Sequence, residues 1–388
     1  MKLLKILFIG FLLLSLANTK AGSTINQKVD FYGHSLDVAL DTDLKKLSFG
    51  KLDQAELTAK LKYSRNNNLL QSSNLIKNYA KAFELDDAGV VLLVDKTSSA
   101  LSGSVNSNVQ VFSKYLLLKQ LGYDVILTRT ENTKLNCLGN LSFTPGRYIY
   151  INYANKKYVD LDFRNRKNYA KHLIIIDNNK TYKTISRNTL SAPRIDAKME
   201  AKHIIFEYNL DRYELDARSN KSIIEFIGDL PMFEVGKEFT NLTVSKEMNE
   251  SVIDYLKTHV DGMNKIDAVK FLLAFVQQVV PYGSDYTKYG EERFYYPEET
   301  IMAADADCED KAILLAYLAK RILGVGSVGL FFENDRHLSL ALQIPEYGSS
   351  IGFKYDGNTY VSCEPTGKYP HLGVSQFALS RVTKVIRL

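Results

Sequence analysis

The sequence predicts an α+β protein in which one order of helix and strands occurs twice. Its 388 residues, 45% of them hydrophobic and 24% charged, are typical of globular domains and long enough for two or three of them. In each half an apolar helix ends at a glycine and leads into alternating strands and a hairpin. A shift of 202 residues places the second arrangement on the first without a gap and gives 12 identities over positions 106–162. We therefore predict a domain duplication.

The N-terminal segment, residues 1–21, is predicted to be a cleavable signal peptide. Lysines precede an apolar run from Ile6 to Leu16, and Thr19–Ala21 provides the cleavage site. The run is too short to span a bilayer, so we expect no transmembrane segment after signal removal. No cysteine lies near the cleavage site, which argues against a lipid anchor. The protein is expected to be periplasmic or secreted.

The first unit, residues 22–190, is predicted to begin with helices and to continue with strands. Gly122 ends the third helix as a left-handed cap. The predicted elements are helices at 69–85, 87–96 and 109–121, a loop at 101–108, and strands at 123–130, 147–153 and 157–163. The next segment, residues 191–245, is predicted to be a small β-rich sheet, with strands that begin at His203, Arg212 and Ser222.

The second unit, residues 246–388, repeats the order of the first. Its predicted elements are helices at 251–260 and 265–280, an apolar helix that ends at Leu323, strands at 327–332 and 338–344, and a hairpin about Asp356–Gly357. The apolar helix begins near Cys308. A helix that is apolar on nearly every face lies in the middle of a domain.

Cys308 is the candidate nucleophile because it falls in the first turn of that helix. Free backbone N–H groups and the helix dipole favour a thiolate there. The alternative is a small buried hydrophobic residue, the usual role of a free cysteine. Four acids near the thiol, which oppose thiolate formation, are predicted to cap the helix and face solvent: Asp305, Asp307, Glu309 and Asp310.

His337 and Glu364 complete the set of side chains that a thiol catalyst needs. His337 opens a strand, and Glu364 ends the next hairpin. Adjacent antiparallel strands lie about 4.8 Å apart, so residues on neighbouring strands can share a hydrogen bond. A thiol, an imidazole and a carboxylate in this arrangement predict nucleophilic catalysis. The alternatives are a surface histidine at a strand end and an exposed carboxylate before a turn.

Other motifs do not predict a cofactor, a metal ion or a nucleic acid. Gly324–Gly329 matches GxGxxG, but it follows a helix and enters a strand, which is the reverse of a dinucleotide site. The acids near Cys308 lack the spacing of an EF-hand loop, although calcium binding stays open. Residues 1–21 contain three lysines and no acid, so their removal lowers the formal net charge from +5 to +2. A nearly neutral chain argues against a nucleic-acid partner.

The three cysteines leave the disulfide pattern open. Cys137 and Cys363 are free to pair, which would leave Cys308 as a thiol, or all three are reduced. Cys363 is next to the candidate catalytic Glu364, and we predict no disulfide.

Several stretches resemble a bacterial transglutaminase-like domain of the papain-like cysteine peptidase superfamily. They are Phe275–Tyr282, Tyr296–Thr300, Asp307–Asp310, His337 and Cys363–Thr366, and the resemblance covers residues 246–388. It implies Cys308 as nucleophile, His337 as base and Glu364 as the residue that orients the imidazole, where the family usually carries aspartate. Gln277 is implied as an oxyanion candidate with the Cys308 backbone N–H, and its alternative role is a helix-surface amide. Overall, the organisation resembles exported two-copy proteins of Bacteroidetes-type bacteria.

These observations predict an exported cysteine-dependent amide-bond hydrolase or acyl transferase that acts on a protein or peptide through a thioester. Hydrolysis is favoured over cross-linking, because cross-linking also needs an amine site that excludes water. The alternative is a non-catalytic binding or scaffold module of the cell envelope. In the first unit Asn106, Leu135 and Asp162 align with the three catalytic positions. We therefore predict a degenerate copy, which is a candidate for binding an envelope partner.

Overall fold

The computed structural model describes residues 24–61, 67–102, 108–130, 134–146, 148–163, 172–174, 182–187, 193–195, 198–232, 236–290, 292–347 and 352–388. The fold is mixed α+β with antiparallel sheets, in agreement with the predicted class. The predicted signal peptide lies outside the described residues. Within the described ranges, no helix is long and apolar enough to cross a membrane.

The first unit contains a hairpin, a group of helices and a five-stranded sheet. In chain order its elements are β1 (Thr24–Phe31), β2 (His34–Asp41), α1 (Thr42–Lys45), α2 (Gln54–Lys60), α3 (Asn67–Ala82), α4 (Asp87–Ser102), α5 (Asn108–Gln120), β3 (Val125–Arg129), β4 (Leu135–Asn140), β5 (Tyr150–Tyr153), β6 (Lys156–Asp160) and β7 (His172–Ile174).

The second unit has the same order of hairpin, helices and sheet. Its elements are β8 (Met199–Tyr208), β9 (Asp211–Asn220), α6 (Lys221–Asp229), α7 (Lys237–Asn241), α8 (Lys246–Met248), α9 (Asp254–Val260), α10 (Lys265–Val279), α11 (Asp285–Tyr289), α12 (Pro297–Met302), α13 (Cys308–Leu323), β10 (Ser327–Phe332), β11 (His337–Leu342), β12 (Phe353–Tyr355), β13 (Asn358–Cys363) and β14 (Lys384–Arg387).

The two five-stranded sheets have the same topology. The first runs β5-β6-β4-β3-β7 and the second β12-β13-β11-β10-β14, and every neighbouring pair is antiparallel. Sequence analysis missed β4 because all of its residues are buried, so it lacks the alternation that marks a half-buried strand. The matching strand order supports the predicted duplication.

The structural register differs from the 202-residue offset at one strand. Ile126 of β3 pairs with Leu138 of β4, whereas Val328 of β10 pairs with Ala341 of β11. Since β3 and β10 keep the offset of 202, the β4 and β11 strands are offset by 203, and the pairing of β4 with β6 gives the same result. The counterpart of His337 is therefore Lys134. The expected counterpart, Leu135, is wrong by one residue because the connections before β4 and β11 differ in length.

The segment predicted as a β-rich sheet at residues 191–245 contributes to both units. Hairpin β8–β9 packs on α10 within the core of the second unit, through side chains such as Phe206. The third predicted strand is wrong, because Ser222 lies in helix α6. The side chain of Asn220 caps this helix by accepting the backbone N–H of Ile223. Ile223 and Phe226 of α6 lie in the core of the first unit.

Helix α13 lies at the centre of the second unit. It packs against α10 and β11, and its side chains from Ala312 to Ala319 are buried. Gly324 ends the helix with φ 66°, in the left-handed region that glycine adopts without strain. This central position brings the first turn of α13 to the beginning of β11, which fixes the place of the site.

Candidate active site

Cys308 is the first residue of α13, as the sequence predicted. Asp307 caps the helix by accepting the backbone N–H of Asp310, and the Asp310 carboxylate accepts the backbone N–H of Asp307 in return. Asp310 also accepts the backbone N–H of Tyr295 at 2.7 Å. These bonds fix the helix start, and therefore the direction of the Cys308 side chain.

Burial and a neighbouring carboxylate favour the protonated form of the Cys308 thiol, against the effect of the helix dipole. Its sulfur donates to a Glu309 carboxylate oxygen at 2.8 Å. Burial and then the negative charge of Glu309 raise the pKa of the Cys308 thiol well above its usual range, although the backbone N–H of Leu338 acts in the opposite direction. The helix dipole is outweighed because two acids, Asp307 and Glu309, lie beside the sulfur.

His337 and Glu364 form a buried hydrogen-bonded pair. His337 is the first residue of β11, and Glu364 directly follows the neighbouring strand β13. The His337 Nε2 atom lies 3.1 Å from a Glu364 carboxylate oxygen, and less than a tenth of each side chain is exposed. The phenyl rings of Phe332 and Phe377 lie 6.0 and 5.5 Å from the imidazole. The carboxylate therefore engages Nε2 and leaves Nδ1 for another partner.

The Glu364 carboxylate is held ionised by its hydrogen bonds. Thr366 donates its hydroxyl at 2.6 Å and its backbone N–H at 3.3 Å, and the backbone N–H of Gln376 donates to the other oxygen. Burial acts to raise the pKa of Glu364, but the bonds from His337 and Thr366 outweigh it and hold that pKa below its usual value. An ionised carboxylate in this position stabilises a cationic imidazole.

Gln277, near the end of α10, contacts the segment that carries Glu364. Its Nε2 donates to the backbone oxygens of Glu364, at 2.9 Å, and of Tyr369, at 3.0 Å. Its backbone oxygen accepts a bond from the buried Lys311 of α13 at 3.1 Å. The predicted oxyanion role is therefore in competition with two bonds that already use the amide N–H groups.

Carboxylates gather beside the nucleophile. Oxygen atoms of Asp285, Glu292 and Asp307 lie within 4.8 Å of one another and form a set that could hold a cation. Burial is the main factor that raises the pKa values of Asp285, Asp307 and Asp310. The acids next to Cys308 in sequence were predicted to face solvent. This prediction is wrong for Asp307 and Asp310, which are buried because they cap a central helix. Asp305 forms an ion pair with Lys288.

Two exposed tyrosines flank the site, and sequence analysis did not assign them a role. Tyr282 pairs with Ala306 in an isolated bridge next to the Cys308 helix, and 62% of it is exposed. Partial burial of its hydroxyl, together with the nearby acids Asp307 and Glu309, raises the pKa of Tyr282 to about 12. Tyr369 is 69% exposed on the Glu364 side. Tyr282 ends the motif stretch Phe275–Tyr282 and Tyr369 follows Cys363–Thr366 by three residues, but nothing in the sequence indicated that both side chains are exposed beside the site.

The corresponding place in the first unit holds different chemistry. Asn108 accepts the backbone N–H of Leu135 at 2.8 Å, as the Cys308 sulfur accepts that of Leu338 in the second unit. Lys134 and Asp162, the counterparts of His337 and Glu364, line one small cavity. The predicted counterpart of Cys308, Asn106, lies outside the described residues.

All three cysteines are buried free thiols. Cys137 lies in the core of the first unit and Cys363 in that of the second, so the pair considered from the sequence is split between two cores. Burial raises the pKa of Cys137 to about 12 and that of Cys363 to about 12.

Comparison with protein-family models, with curated proteins and with solved structures gives no match to this chain. The resemblance to transglutaminase-like domains therefore stands on the motifs alone. The function has to be argued from the site itself.

Proposed function

We propose that the second unit is a transglutaminase-like cysteine hydrolase or acyl transferase of an exported protein, periplasmic or secreted, that cleaves amide bonds in a protein or peptide. The observation that carries this proposal is the buried His337–Glu364 pair at 3.1 Å, placed where β11 meets the first turn of α13. The contact of the Cys308 sulfur with the backbone N–H of Leu338, the residue after His337, supports a shared reaction site.

The reaction begins with transfer of the thiol proton to His337, whose Nε2–H remains bonded to Glu364. The Cys308 sulfur then forms a bond to the substrate carbonyl carbon, and the carbonyl oxygen gains the negative charge. The backbone N–H of Cys308, which has no partner within its own helix, is placed to stabilise that charge. When the C–N bond breaks, the imidazolium gives its proton to the leaving amine and a thioester remains.

Water resolves the thioester in the hydrolytic branch. His337 takes a proton from the water as the water oxygen forms a bond to the acyl carbon, and when the C–S bond breaks the imidazolium returns that proton to the leaving sulfur. The products are a carboxylic acid and the regenerated Cys308 thiol. An amine in place of water gives transfer instead. Hydrolysis remains the favoured branch, because transfer also needs an amine site that excludes water.

Glu309 has to move before the thiol can act. In the resting arrangement the thiol donates to Glu309 rather than to His337. Substrate binding that displaces Glu309, or protonation of Glu309, frees the sulfur to reach the imidazole. Burial raises the pKa of Glu309, so its protonated form is populated closer to neutral pH than for an exposed glutamate.

A non-catalytic module is the second candidate function. The observation that favours it is the same contact between the thiol and Glu309, with burial keeping the thiol protonated. In that case the second unit, like the first, would bind a partner in the cell envelope without acting on it.

A thiol probe separates the two candidates. The full chain is treated with iodoacetamide near neutral pH, and the alkylated peptides of the three cysteines are quantified by mass spectrometry. Selective labelling of Cys308 that is lost in His337→Ala supports the enzyme. Equal labelling rates of Cys308 in the wild type and in His337→Ala would exclude a functional thiol–imidazole pair and favour the binding module.

A further inference from the structure

Gln277 makes contacts that an oxyanion donor would not make. Both hydrogens of its Nε2 are directed to backbone oxygens, those of Glu364 at 2.9 Å and Tyr369 at 3.0 Å. Its Oε1 is buried and has no hydrogen-bond partner among the residues that the structure describes. The opposite amide orientation would place Oε1 against two carbonyl oxygens, so the observed orientation is the one that the hydrogen bonds require.

The two bonds fasten a loop that surrounds the Glu364 carboxylate. This loop begins at Glu364, passes Thr366 and Tyr369, and returns to Gln376, whose backbone N–H donates to the carboxylate. Gly367 brings the loop close to the amide, because a Cβ atom there would lie 3.2 Å from the Gln277 Nε2. The amide thus holds the loop at its first residue and at its middle, 87 and 92 residues away in sequence.

The helix that carries Gln277 is itself tied to the nucleophile helix. Lys311, one turn after Cys308, donates from its ammonium to the Gln277 backbone oxygen at 3.1 Å. One residue therefore connects α13 with the loop of Glu364. A shift of about 1 Å in a group that orients a catalytic residue is enough to cost on the order of a hundredfold in rate.

We propose that Gln277 is a positioning residue that fixes the Glu364 carboxylate against His337, and that it does not serve as an oxyanion donor. This inference rests on the proposed function for its effect on rate. Its effect on the His337–Glu364 hydrogen bond does not depend on the protein being an enzyme.

Gln277→Met is the variant that tests the proposal, because methionine keeps the length of the side chain and removes both donors. Gln278→Met is the matched control. Gln278 is the next residue of α10 and also bridges to another element, exchanging hydrogen bonds with the backbone of Glu207. Gln277→Asn, which keeps an amide but withdraws it by one methylene, is the second variant if Gln277→Met does not fold.

Two readouts are needed, and the first is the rate of Cys308 alkylation by iodoacetamide in the full chain. Alkylation is a direct displacement with no oxyanion, so an oxyanion donor does not affect it, whereas a misplaced imidazole does. The second readout is the nitrogen-15 NMR signal of the His337 ring, assigned with His337→Asn. It reports whether Nε2 keeps the proton that it donates to Glu364.

We expect alkylation of Cys308 to slow by on the order of ten- to a hundredfold in Gln277→Met, with averaging of the two His337 tautomers. Gln278→Met should match the wild type in both readouts. Wild-type alkylation and an intact Nε2–H signal in Gln277→Met, with or without loss of amide hydrolysis, would overturn the proposal. Equal effects of Gln277→Met and Gln278→Met would overturn it as well, since they would indicate general loosening of α10.

The failure of the proposed function has a different signature. If the proposed function is wrong, Cys308 should be alkylated at the same rate in the wild type and in His337→Ala. The tautomer signal of His337 would still decide whether Gln277 positions Glu364.

Discussion

The two units of this protein have the same strand order but different side chains at the place of the site. In both, a helix begins beside a backbone N–H of the central strand of the sheet, which is bonded to Asn108 in one unit and lies near the Cys308 sulfur in the other. The imidazole and carboxylate of the second unit correspond to Lys134 and Asp162 in the first. The scaffold alone therefore does not define the chemistry, which depends on three side chains.

The difference extends into the core behind the two sites. Lys114 of α5 is buried and binds Asp95 at 2.9 Å and the backbone oxygen of Leu161 at 2.8 Å. Ala316, its counterpart at an offset of 202, is buried among apolar side chains of α13. A charged core side chain needs partners that orient it, and it fills space next to the site. The second unit has a small residue at this position.

The largest expected effect distinguishes the Glu364 carboxylate of the second unit from its counterpart in the first unit, Asp162. Glu364→Gln should lower turnover by up to about 10⁴, because the neutral amide no longer stabilises the imidazolium or fixes its tautomer. The stability loss should stay near 2 kcal/mol or less, since glutamine keeps the size and one acceptor oxygen. Steady-state kinetics on a peptide amide and thermal unfolding measure the two quantities.

The matched substitution in the first unit is Asp162→Asn, which should leave turnover unchanged. Glu364→Asp should keep much of the activity. If Glu364→Gln retains the full rate while His337→Ala loses it, another acid such as Asp335 orients the imidazole.

The next largest effect is expected at Glu309, whose carboxylate accepts the hydrogen bond of the Cys308 thiol. Glu309→Gln removes the negative charge beside the Cys308 sulfur, and each unit by which the thiol pKa falls increases the thiolate fraction about tenfold. Alkylation of Cys308 near neutral pH should therefore accelerate by tenfold or more, as measured by mass spectrometry of quenched time points. Cys137 and Cys363 provide internal controls whose rates should not change. An unchanged Cys308 rate would mean that burial alone protects the thiol.

The comparison can also be tested in the opposite direction, by introducing the thiol and the imidazole into the first unit. Asn108→Cys introduces a thiol beside the Leu135 N–H, and Lys134→His adds an imidazole near Asp162. The new thiol should react with iodoacetamide several-fold, up to about tenfold, faster in the double variant than in Asn108→Cys alone. Equal rates would show that Lys134 does not face the position of the new sulfur.

The smallest expected effect is on stability as a function of pH. Burial raises the pKa of Asp285 in the folded state, so the folded chain binds more protons than the unfolded chain between the two pKa values. The free energy of unfolding then falls as pH rises through this window, beginning near pH 4. Asp285→Asn should flatten that slope, measured by urea unfolding at a series of pH values from 4 upward.

Asp261→Asn, at an exposed acid in the same unit, is the control for this measurement and should keep the wild-type slope. A slope that Asp285→Asn leaves unchanged would mean that the carboxylate is ionised in the folded protein. In that case Arg293 and Lys288, or a bound cation, outweigh the burial of Asp285.

Sequence reasoning located the parts of the site that depend on local order. The sequence placed His337 at the start of β11 and Glu364 at the end of β13, because strand and hairpin signals are local. The start of α13 at Cys308 was predictable from the acids before it and the apolar run after it. These signals need no knowledge of distant contacts.

What sequence reasoning missed depends on contacts far apart in the chain. The depth at which the Cys308 thiol is buried depends on the packing of α13 against distant elements, whereas the opposing charge of Glu309 comes from the next residue and was apparent in the sequence. Helix α6 contains adjacent isoleucines that favour a strand, but its spacing also gives an apolar face that the first unit covers. The contact of Gln277 with Glu364 spans 87 residues.

Helix α6 also affects how the chain unfolds. It follows hairpin β8–β9 of the second unit, yet it is inserted in the core of the first, where Ser222 donates to the backbone oxygen of Tyr32 and the hydroxyl of Tyr32 donates to Asp229. Unfolding of the first unit therefore releases α6, the helix that directly follows β9. The two units are thermodynamically linked, and we expect one calorimetric transition for the whole chain, with equal calorimetric and van't Hoff enthalpies.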